Sequence, residues 1–85
     1  MDDDVPVGGW SIAPDLREQM RLEGIRSALA EGRLDESIME AEEFLDSQPS
    51  HPEALFLLGE ALLAVGDAEL ALPTFRACVR LSEGS

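Results

Sequence analysis

A short motif recurs in this chain at a fixed offset. Leu29-Ala30-Glu31-Gly32 returns as Leu63-Ala64-Val65-Gly66, with Leu, Ala and Gly at matching positions. Leu and Ala have high helix propensity, and a glycine after a run of such residues is typical of a helix end. Because self-similarity at a fixed period indicates stacked copies of one structural unit, the recurrence predicts two copies of a helical unit.

The apolar residues predict an all-α chain of four helices. The helices are expected near 15–31, 35–47, 52–65 and 68–82, with apolar side chains at intervals of three and four residues. Loops of a few residues make neighbouring helices antiparallel. The expected inward stripes, in chain order, are Met20, Ile25, Ala28 and Leu29; Leu34, Ile38, Ala41 and Leu45; Leu55, Leu58, Gly59 and Leu62; and Leu70, Ala71, Phe75, Cys78 and Val79.

Residues that start and stop helices separate these segments. Pro14 suits the first turn of a helix, and Gly32 and Gly66 suit C-terminal caps. Ser50 and Glu53 have the spacing of a capping box, which predicts that Ser50 caps the third helix.

Two residues bear on the fourth helix. Asp67 precedes it and can accept a hydrogen bond from its first turn. Pro73 lies inside it and removes one backbone hydrogen bond, so we expect a bend there, or helical regularity only beyond it.

Charge limits the classes of partner. The chain has 85 residues, one small domain at most, and a net charge of −12 in which every basic residue is Arg. Phosphate backbones and anionic lipid would repel such a chain, so neither nucleic acid nor a membrane surface is an expected partner. The single Cys excludes an internal disulfide, and the first residues lack the basic and apolar regions of a signal peptide, so the expected location is cytoplasmic.

The N-terminal segment differs in composition from the remainder. Residues 1–13 contain three consecutive Asp and a Gly pair, which predicts an acidic extended tail before a helical domain at 14–85. Trp10 is the exception, because a large aromatic side chain is costly to leave in water. We expect it to pack on the first helix or to anchor a partner.

The second unit, residues 52–85, resembles the tetratricopeptide repeat family, whose period of about 34 residues matches the offset between Gly32 and Gly66. The family pattern has a large residue, then a Leu-Gly pair, then an aromatic residue. Here Leu55, Leu58-Gly59 and Leu62 stand at these positions, and Gly66-Asp67 matches the usual turn. Ala71 and Phe75 match a small and an aromatic residue four apart, and Cys78 occupies a small-residue position. The small side chains of Gly59 and Ala71 allow close helix contact, while Leu62 and Phe75 fill the space beside them.

The first unit, residues 18–51, matches the family less well. Gly32, Ser37, Ala41 and Phe44 have suitable sizes, and Pro49 stands where the family often has proline. The departures are Arg21 at a large apolar position, Gly24-Ile25 in place of Leu-Gly, and Arg33 in place of a capping Asp.

The resemblance implies a protein–protein interaction module rather than an enzyme. In this family the first helix of each pair lines a concave groove that takes a peptide or a helix of a partner. The groove residues implied here are Leu22, Glu23, Arg26, Leu29, Glu53, Phe56, Leu57, Glu60 and Leu63. Such a surface suits an apolar ligand with basic flanks; alternatively, these side chains contact neighbouring helices or the Trp10 segment.

One class of ligand is not expected. Family members that bind chaperones hold a terminal carboxylate with a clamp of Lys, Arg and Asn. This chain contains no Lys and no Asn, and its predicted groove is acidic, so we do not expect a C-terminal carboxylate as the ligand.

Apolar residues near the end of the second unit suggest a second function, self-association. Repeat arrays usually contain about three units and a polar capping helix. Leu72, Val79 and Leu81, together with Trp10, would be available to other surfaces. We expect that this is the N-terminal module of a larger bacterial protein, that a second copy covers the face as a homodimer, or that a partner covers it.

Residues that could carry chemistry lack the necessary neighbours in sequence. His51 has no metal-ligand spacing around it and is expected to be a solvated loop residue. Cys78 occupies a packed position, and Glu36, Glu40 and Glu43 form a solvated helix face. We therefore expect no catalytic site, no metal and no cofactor.

Overall fold

Four helices account for most of residues 14–84, the part of the chain that the computed structural model describes. They are α1 (Pro14–Ala30), α2 (Leu34–Ser47), α3 (Pro52–Ala64) and α4 (Ala68–Gly84), with no strand among the described residues. The predicted all-α class and the order of the helices are confirmed. Residues 1–13 and 85, including Trp10, lie outside the described residues.

The two α–α turns lie one repeat period apart and have the same geometry. Gly32 and Gly66 adopt φ angles of 82° and 90°, in the left-handed region that favours glycine. In each turn the next residue donates its N–H to the carbonyl five positions back, at 2.9 Å for Arg33 and 2.8 Å for Asp67. Each glycine N–H also bonds three positions back, which completes a Schellman motif. The predicted glycine caps are therefore correct.

The helices pack in sequential order. Helix α1 contacts α2 and α3, and α3 also contacts α2 and α4. Among the described helices, α4 contacts α3 alone. The structure is therefore two hairpins joined through α3, and the outer side of α4 has no helix of the described chain upon it.

A continuous apolar core runs through both hairpins. Its largest fully buried side chains are Phe44, Leu22 and Ile25, and Ser37 is buried with them. The Ser37 hydroxyl donates to the Ile25 carbonyl at 3.3 Å, which satisfies this buried polar side chain. The core also contains Ala41, Ala54, Leu57, Leu58, Leu62 and Ala71, with Leu29, Ile38, Leu45 and Phe75 packed against it.

Close contact in the second hairpin depends on Gly59. A Cβ at this position would lie 2.7 Å from the Phe75 ring, so any side chain there would force the ring to move. At the equivalent positions of the first hairpin, one repeat period earlier, the large residue is Ile25 and the small one is Ala41, and both are buried. In the first hairpin the large residue is on the first helix and the small one on the second. In the second hairpin the order is reversed, with Gly59 on α3 and Phe75 on α4.

Helix α3 begins at Pro52, as predicted, but its capping residue differs from the prediction. Its N-cap is His51, whose Nδ1 accepts from the Ala54 N–H at 3.3 Å, so the predicted capping box at Ser50 is wrong. The Glu53 side chain forms an ion pair with Arg26 of α1 and does not reach back to the cap. The ion pair between Glu53 and Arg26 is favoured over the capping box because it joins two opposite charges.

Helix α4 remains helical on both sides of Pro73, from Ala68 onward, so regularity is not confined to the residues beyond the proline. The Asp67 carboxylate accepts from the Leu70 N–H at 3.3 Å, as predicted for its cap. The Thr74 hydroxyl donates to the Leu70 carbonyl at 2.8 Å, one turn from the proline.

Three predicted inward positions face solvent. Met20, Leu70 and Val79 each leave more than half of their surface exposed. The rest of the α1 stripe faces the core, since Ile25 and Ala28 are buried, and Leu22 rather than Met20 is buried with them.

Candidate partner-binding groove

A cleft runs between α1 and α3 with a volume of about 510 Å³. On each helix most lining residues recur at intervals of three or four, so one stripe of each helix faces the cleft. The lining residues are Glu23, Arg26, Ser27, Leu29, Ala30, Glu53, Phe56, Leu57 and Glu60. We refer to this surface as the groove.

The floor of the groove is apolar. Leu57 is buried beneath it as part of the core, and Leu29 is half-buried beside it. Phe56 is 46% exposed and presents much of its ring to the cleft. An exposed aromatic side chain over a packed apolar floor can bury further area against a ligand.

Ion pairs occupy one side of the groove. The Arg26 guanidinium donates to Glu23 at 2.6 Å and also forms an ion pair with Glu53 across the two helices. The hydrogen bond to Glu53 and the charges of both carboxylates raise the pKa of Arg26. This network ties α1 to α3 and occupies the one basic side chain among the described lining residues.

Glu60 lies in the groove without an ion pair to any described residue. The groove lining contains three carboxylates and one guanidinium, which leaves two net negative charges. The groove is thus acidic, with one net negative charge in the network of Glu23, Arg26 and Glu53 and the other on Glu60.

Seven of the nine residues implied for the groove line the cleft, and two do not. Leu22 has no exposed surface, so it belongs to the core and cannot contact a ligand. Leu63 is exposed but does not line the cleft. The sequence-based set omitted Ser27 and Ala30, which lie four and seven positions after Glu23 on the same stripe.

A polar cluster joins the two hairpins at one end of the molecule. Glu18 of α1 accepts from the Gln48 amide at 3.1 Å and bonds His51 Nε2 at 2.7 Å. The hydrogen bond from Gln48, followed by that from His51, lowers the pKa of Glu18. Because His51 Nδ1 accepts the cap bond from Ala54, its neutral ring carries the hydrogen on Nε2 and donates to Glu18.

Aromatic contacts complete this junction. The His51 ring meets the Phe44 ring edge-on, with centroids 5.0 Å apart, and only 16% of the His51 side chain is exposed. Arg21 lies over the Phe44 ring, 5.0 Å from its centroid. The prediction of a solvated His51 is therefore wrong. Arg21, at a position where the family has a large apolar residue, covers an aromatic ring instead.

The outer side of α4 forms a second surface, which we call the α4 face. Phe75, Arg76, Val79, Arg80 and Glu83 line a shallow depression of about 390 Å³ there. Of the residues predicted for self-association, Leu72 and Val79 are each 54% exposed, while Leu81 is half-buried. Trp10 lies outside the described residues.

Residues with metal-binding or redox chemistry do not assemble into a site within the described part of the chain. No group of three or more His, Cys, Asp and Glu side chains there could hold a metal ion. The Cys78 thiol contacts the Pro52 carbonyl at 3.3 Å, between α4 and the start of α3. No helix among residues 14–84 is long and apolar enough to cross a bilayer.

Comparison with known proteins identifies the family. Residues 22–85 match the family model of the tetratricopeptide repeat. Comparisons with curated proteins and with solved structures found no match. The matched region includes both glycine turns, the Gly59–Phe75 contact and the whole groove. With the matched segment covering most of the chain, this protein belongs to the tetratricopeptide repeat family.

Proposed function

We propose that this chain is a protein-interaction module that binds a peptide or a helix of a partner protein in the groove between α1 and α3. Membership of the tetratricopeptide repeat family supports a protein partner and a binding role rather than catalysis. The observation that carries the proposal is the exposed Phe56 ring above the buried Leu57 in an open cleft. Helix-in-groove recognition uses such apolar anchors.

The charges of the groove favour a ligand with basic flanks. Glu60 has no ion partner among the described residues, so a Lys or Arg of the ligand can pair with it. Arg26 is already engaged by Glu23 and Glu53, which argues against a terminal carboxylate as the ligand. A carboxylate would have to displace one of two existing ion pairs.

Site-specific photo-crosslinking tests the groove. A benzoylphenylalanine at position 56 places the reactive group in the cleft, and the same residue at the exposed Met39 on α2 serves as the matched control. In extract of the source cells, we expect a discrete crosslinked protein from position 56 and not from position 39. Equal crosslinking from the two positions would argue against the groove.

A second candidate function is self-association through the apolar residues of α4. Leu72 and Val79 favour it, because both are more than half exposed on a helix that contacts only α3 among the described helices. Leu81 and Trp10 belong to the same hypothesis. The dependence of molecular mass on concentration for the isolated chain tests this second candidate, and a mass that stays monomeric would exclude it.

The setting of the chain is part of the proposal. A cytoplasmic location is consistent with a single free Cys and with a highly acidic composition. We also propose that the chain divides into an acidic segment, 1–13, and a helical domain, 14–85. Removing residues 1–13 and measuring whether the thermal unfolding midpoint changes would test that division.

A further inference from the structure

We propose that the occupant of the groove is helix α4 of a second copy of this chain. This inference rests on the proposed function of the groove as a helix-binding site. Its support comes from the apolar stripe of the α4 face, from the charges of the two surfaces and from their adjacency on one molecule.

The α4 face has the side-chain pattern of a helix that docks in a groove. Leu72, Phe75 and Val79 recur at intervals of three and four and form one apolar stripe. Leu72 and Val79 are each 54% exposed, and Phe75 is half-buried against α3. A helix that binds in an apolar cleft typically places its apolar side chains at this spacing.

Two arginines border this stripe and complement the acidic groove. Arg76 and Arg80 line the depression on the α4 face, and neither forms an ion pair with a described residue. Among the other arginines, Arg26 and Arg33 are held in ion pairs within the described chain and Arg21 covers Phe44, while Arg17 lies on α1, which does not contact α4. With Glu83 on the same face, Arg76 and Arg80 leave one net positive charge there, opposite in sign to the two net negative charges of the groove.

The overall charge makes this pairing selective. A chain with 18 acidic and 6 basic residues repels a second copy in most orientations. Docking of the α4 face into the groove brings opposite charges together instead, because Arg76 can approach Glu60 of the other copy. Electrostatic complementarity of this kind fixes the register of two surfaces.

The positions of the two surfaces favour a closed dimer. Phe56 of the groove and Phe75 of the α4 face are neighbours on one molecule, with ring centroids 5.8 Å apart. Because the surfaces adjoin, two copies related by a two-fold axis can make both groove–α4 contacts at once. A two-fold arrangement of that kind ends at a dimer rather than continuing as a filament.

Reciprocal charge reversal tests the proposal by sedimentation of the full chain over a range of concentrations. Wild type should form a dimer that weakens with added salt. Glu60→Arg alone and Arg76→Glu alone each place like charges across both contacts, so each should weaken dimerisation by at least about tenfold. An equimolar mixture of the two variants should recover the dimer, because both contacts then pair opposite charges.

Matched controls separate this contact from a general effect of charge. Glu42→Arg and Arg17→Glu make the same charge changes at exposed positions on α2 and α1 and should leave the dimer unchanged. Circular dichroism of each variant checks that the helices remain. Glu60→Gln alone and Arg76→Gln alone remove the attraction without adding a repulsion, so each should weaken the dimer less than the corresponding charge reversal.

Several outcomes would overturn the proposal. A wild-type chain that stays monomeric throughout, a Glu60→Arg variant that dimerises as wild type does, or a mixture that fails to recover the dimer would each exclude it. Those results leave the proposed function standing if position 56 still crosslinks to a different protein. An absence of specific crosslinks from position 56 would instead count against the groove itself.

Discussion

Gly59 is the residue on which the second hairpin depends most directly. The absence of a side chain lets the Phe75 ring approach the α3 backbone, and a Cβ would lie within 2.7 Å of that ring. Glycine inside a helix costs about 1 kcal/mol relative to alanine, so its presence here needs a compensating contact. The burial of Phe75 against α3 supplies that contact.

We expect Gly59→Ala to destabilise the fold despite the better helix propensity of alanine. Overpacking costs about 1–3 kcal/mol and the propensity gain is about 1 kcal/mol, so a net loss of about 1 kcal/mol in the free energy of unfolding should result. Urea unfolding measures it. Combining the substitution with Phe75→Leu should remove the cost, since the ring causes the clash.

Gly24 provides the control for this substitution. A Cβ there would lie 3.6 Å from a Glu40 carboxylate oxygen, an ordinary contact, and its position in α1 is exposed. Gly24→Ala should therefore raise the free energy of unfolding by about 0.5–1 kcal/mol. If both alanine substitutions changed the free energy of unfolding in the same direction, the Phe75 ring would not be what restricts the side chain at position 59.

At the scale of the helices, the two glycine turns determine where each hairpin reverses. Both turns use a positive φ and the same pair of backbone hydrogen bonds. The helix starts that follow are less alike, because Asp67 caps α4 with its side chain whereas Arg33 makes no cap bond to α2. The turn geometry is thus common to both units, and the cap is not.

We expect Gly66→Ala to lower the free energy of unfolding by about 1 kcal/mol, because a Cβ is strained at positive φ. The space around this position is open, so the cost is one of backbone conformation and not of crowding. Gly66→Asn should cost less, since Asn tolerates this region better. Thermal and urea unfolding of both variants would check the order, and an alanine variant as stable as wild type would contradict it.

Local signals predicted the helices well and their contacts less well. The glycine turns and the Asp67 cap follow from residues within one turn, and all of them are present. The capping box of α3 was mispredicted because the Glu53 side chain bonds Arg26, 27 positions away in the chain, rather than the helix cap. The capping-box motif spans only Ser50 to Glu53, so it cannot indicate that Glu53 pairs with Arg26.

At the scale of the molecule, the junction between hairpins combines residues that are far apart in sequence. Glu18 and His51 are separated by 33 residues, and their contact places α1 against the loop that begins α3. The sequence around His51 is typical of a solvated loop because its neighbours are polar, yet Phe44 and Glu18 enclose its ring.

Acidification should weaken this junction. Hydrogen bonds from Gln48 and His51 lower the pKa of Glu18 in the folded chain. The carboxylate therefore stabilises the fold above the ordinary pKa of glutamate, and that contribution is lost as the pH falls through the lower, folded value. We expect wild type to exceed Glu18→Gln in free energy of unfolding at neutral pH, with the difference shrinking below about pH 4.

Urea unfolding at a series of pH values measures this difference. Glu42→Gln removes one negative charge from the exposed surface of α2 and controls for the change in net charge. A difference between wild type and Glu18→Gln that stayed constant through the acid range would show that the Glu18 carboxylate does not support the junction.

The family pattern predicted most of the groove but not which of its residues are accessible. Helical spacing places Glu23, Phe56 and Glu60 on the inner stripes, and all three line the cleft. Leu22 was misassigned because a one-residue difference rotates a helical position by about 100°, from the cleft into the core. The sequence also did not predict that the charge of Arg26 is paired, because its ion pair with Glu53 joins two different helices.

The opposite division of sizes at Ile25–Ala41 and Gly59–Phe75 affects how this chain is aligned with others. Ile25 stands one repeat period before Gly59, and Ala41 stands one repeat period before Phe75. Because one change compensates for the other in volume, the two columns carry a single constraint and should vary together. Placing a glycine at position 25 alone would leave a void where the Ile25 side chain is buried, so we expect a stable exchange to require a larger residue at position 41 as well.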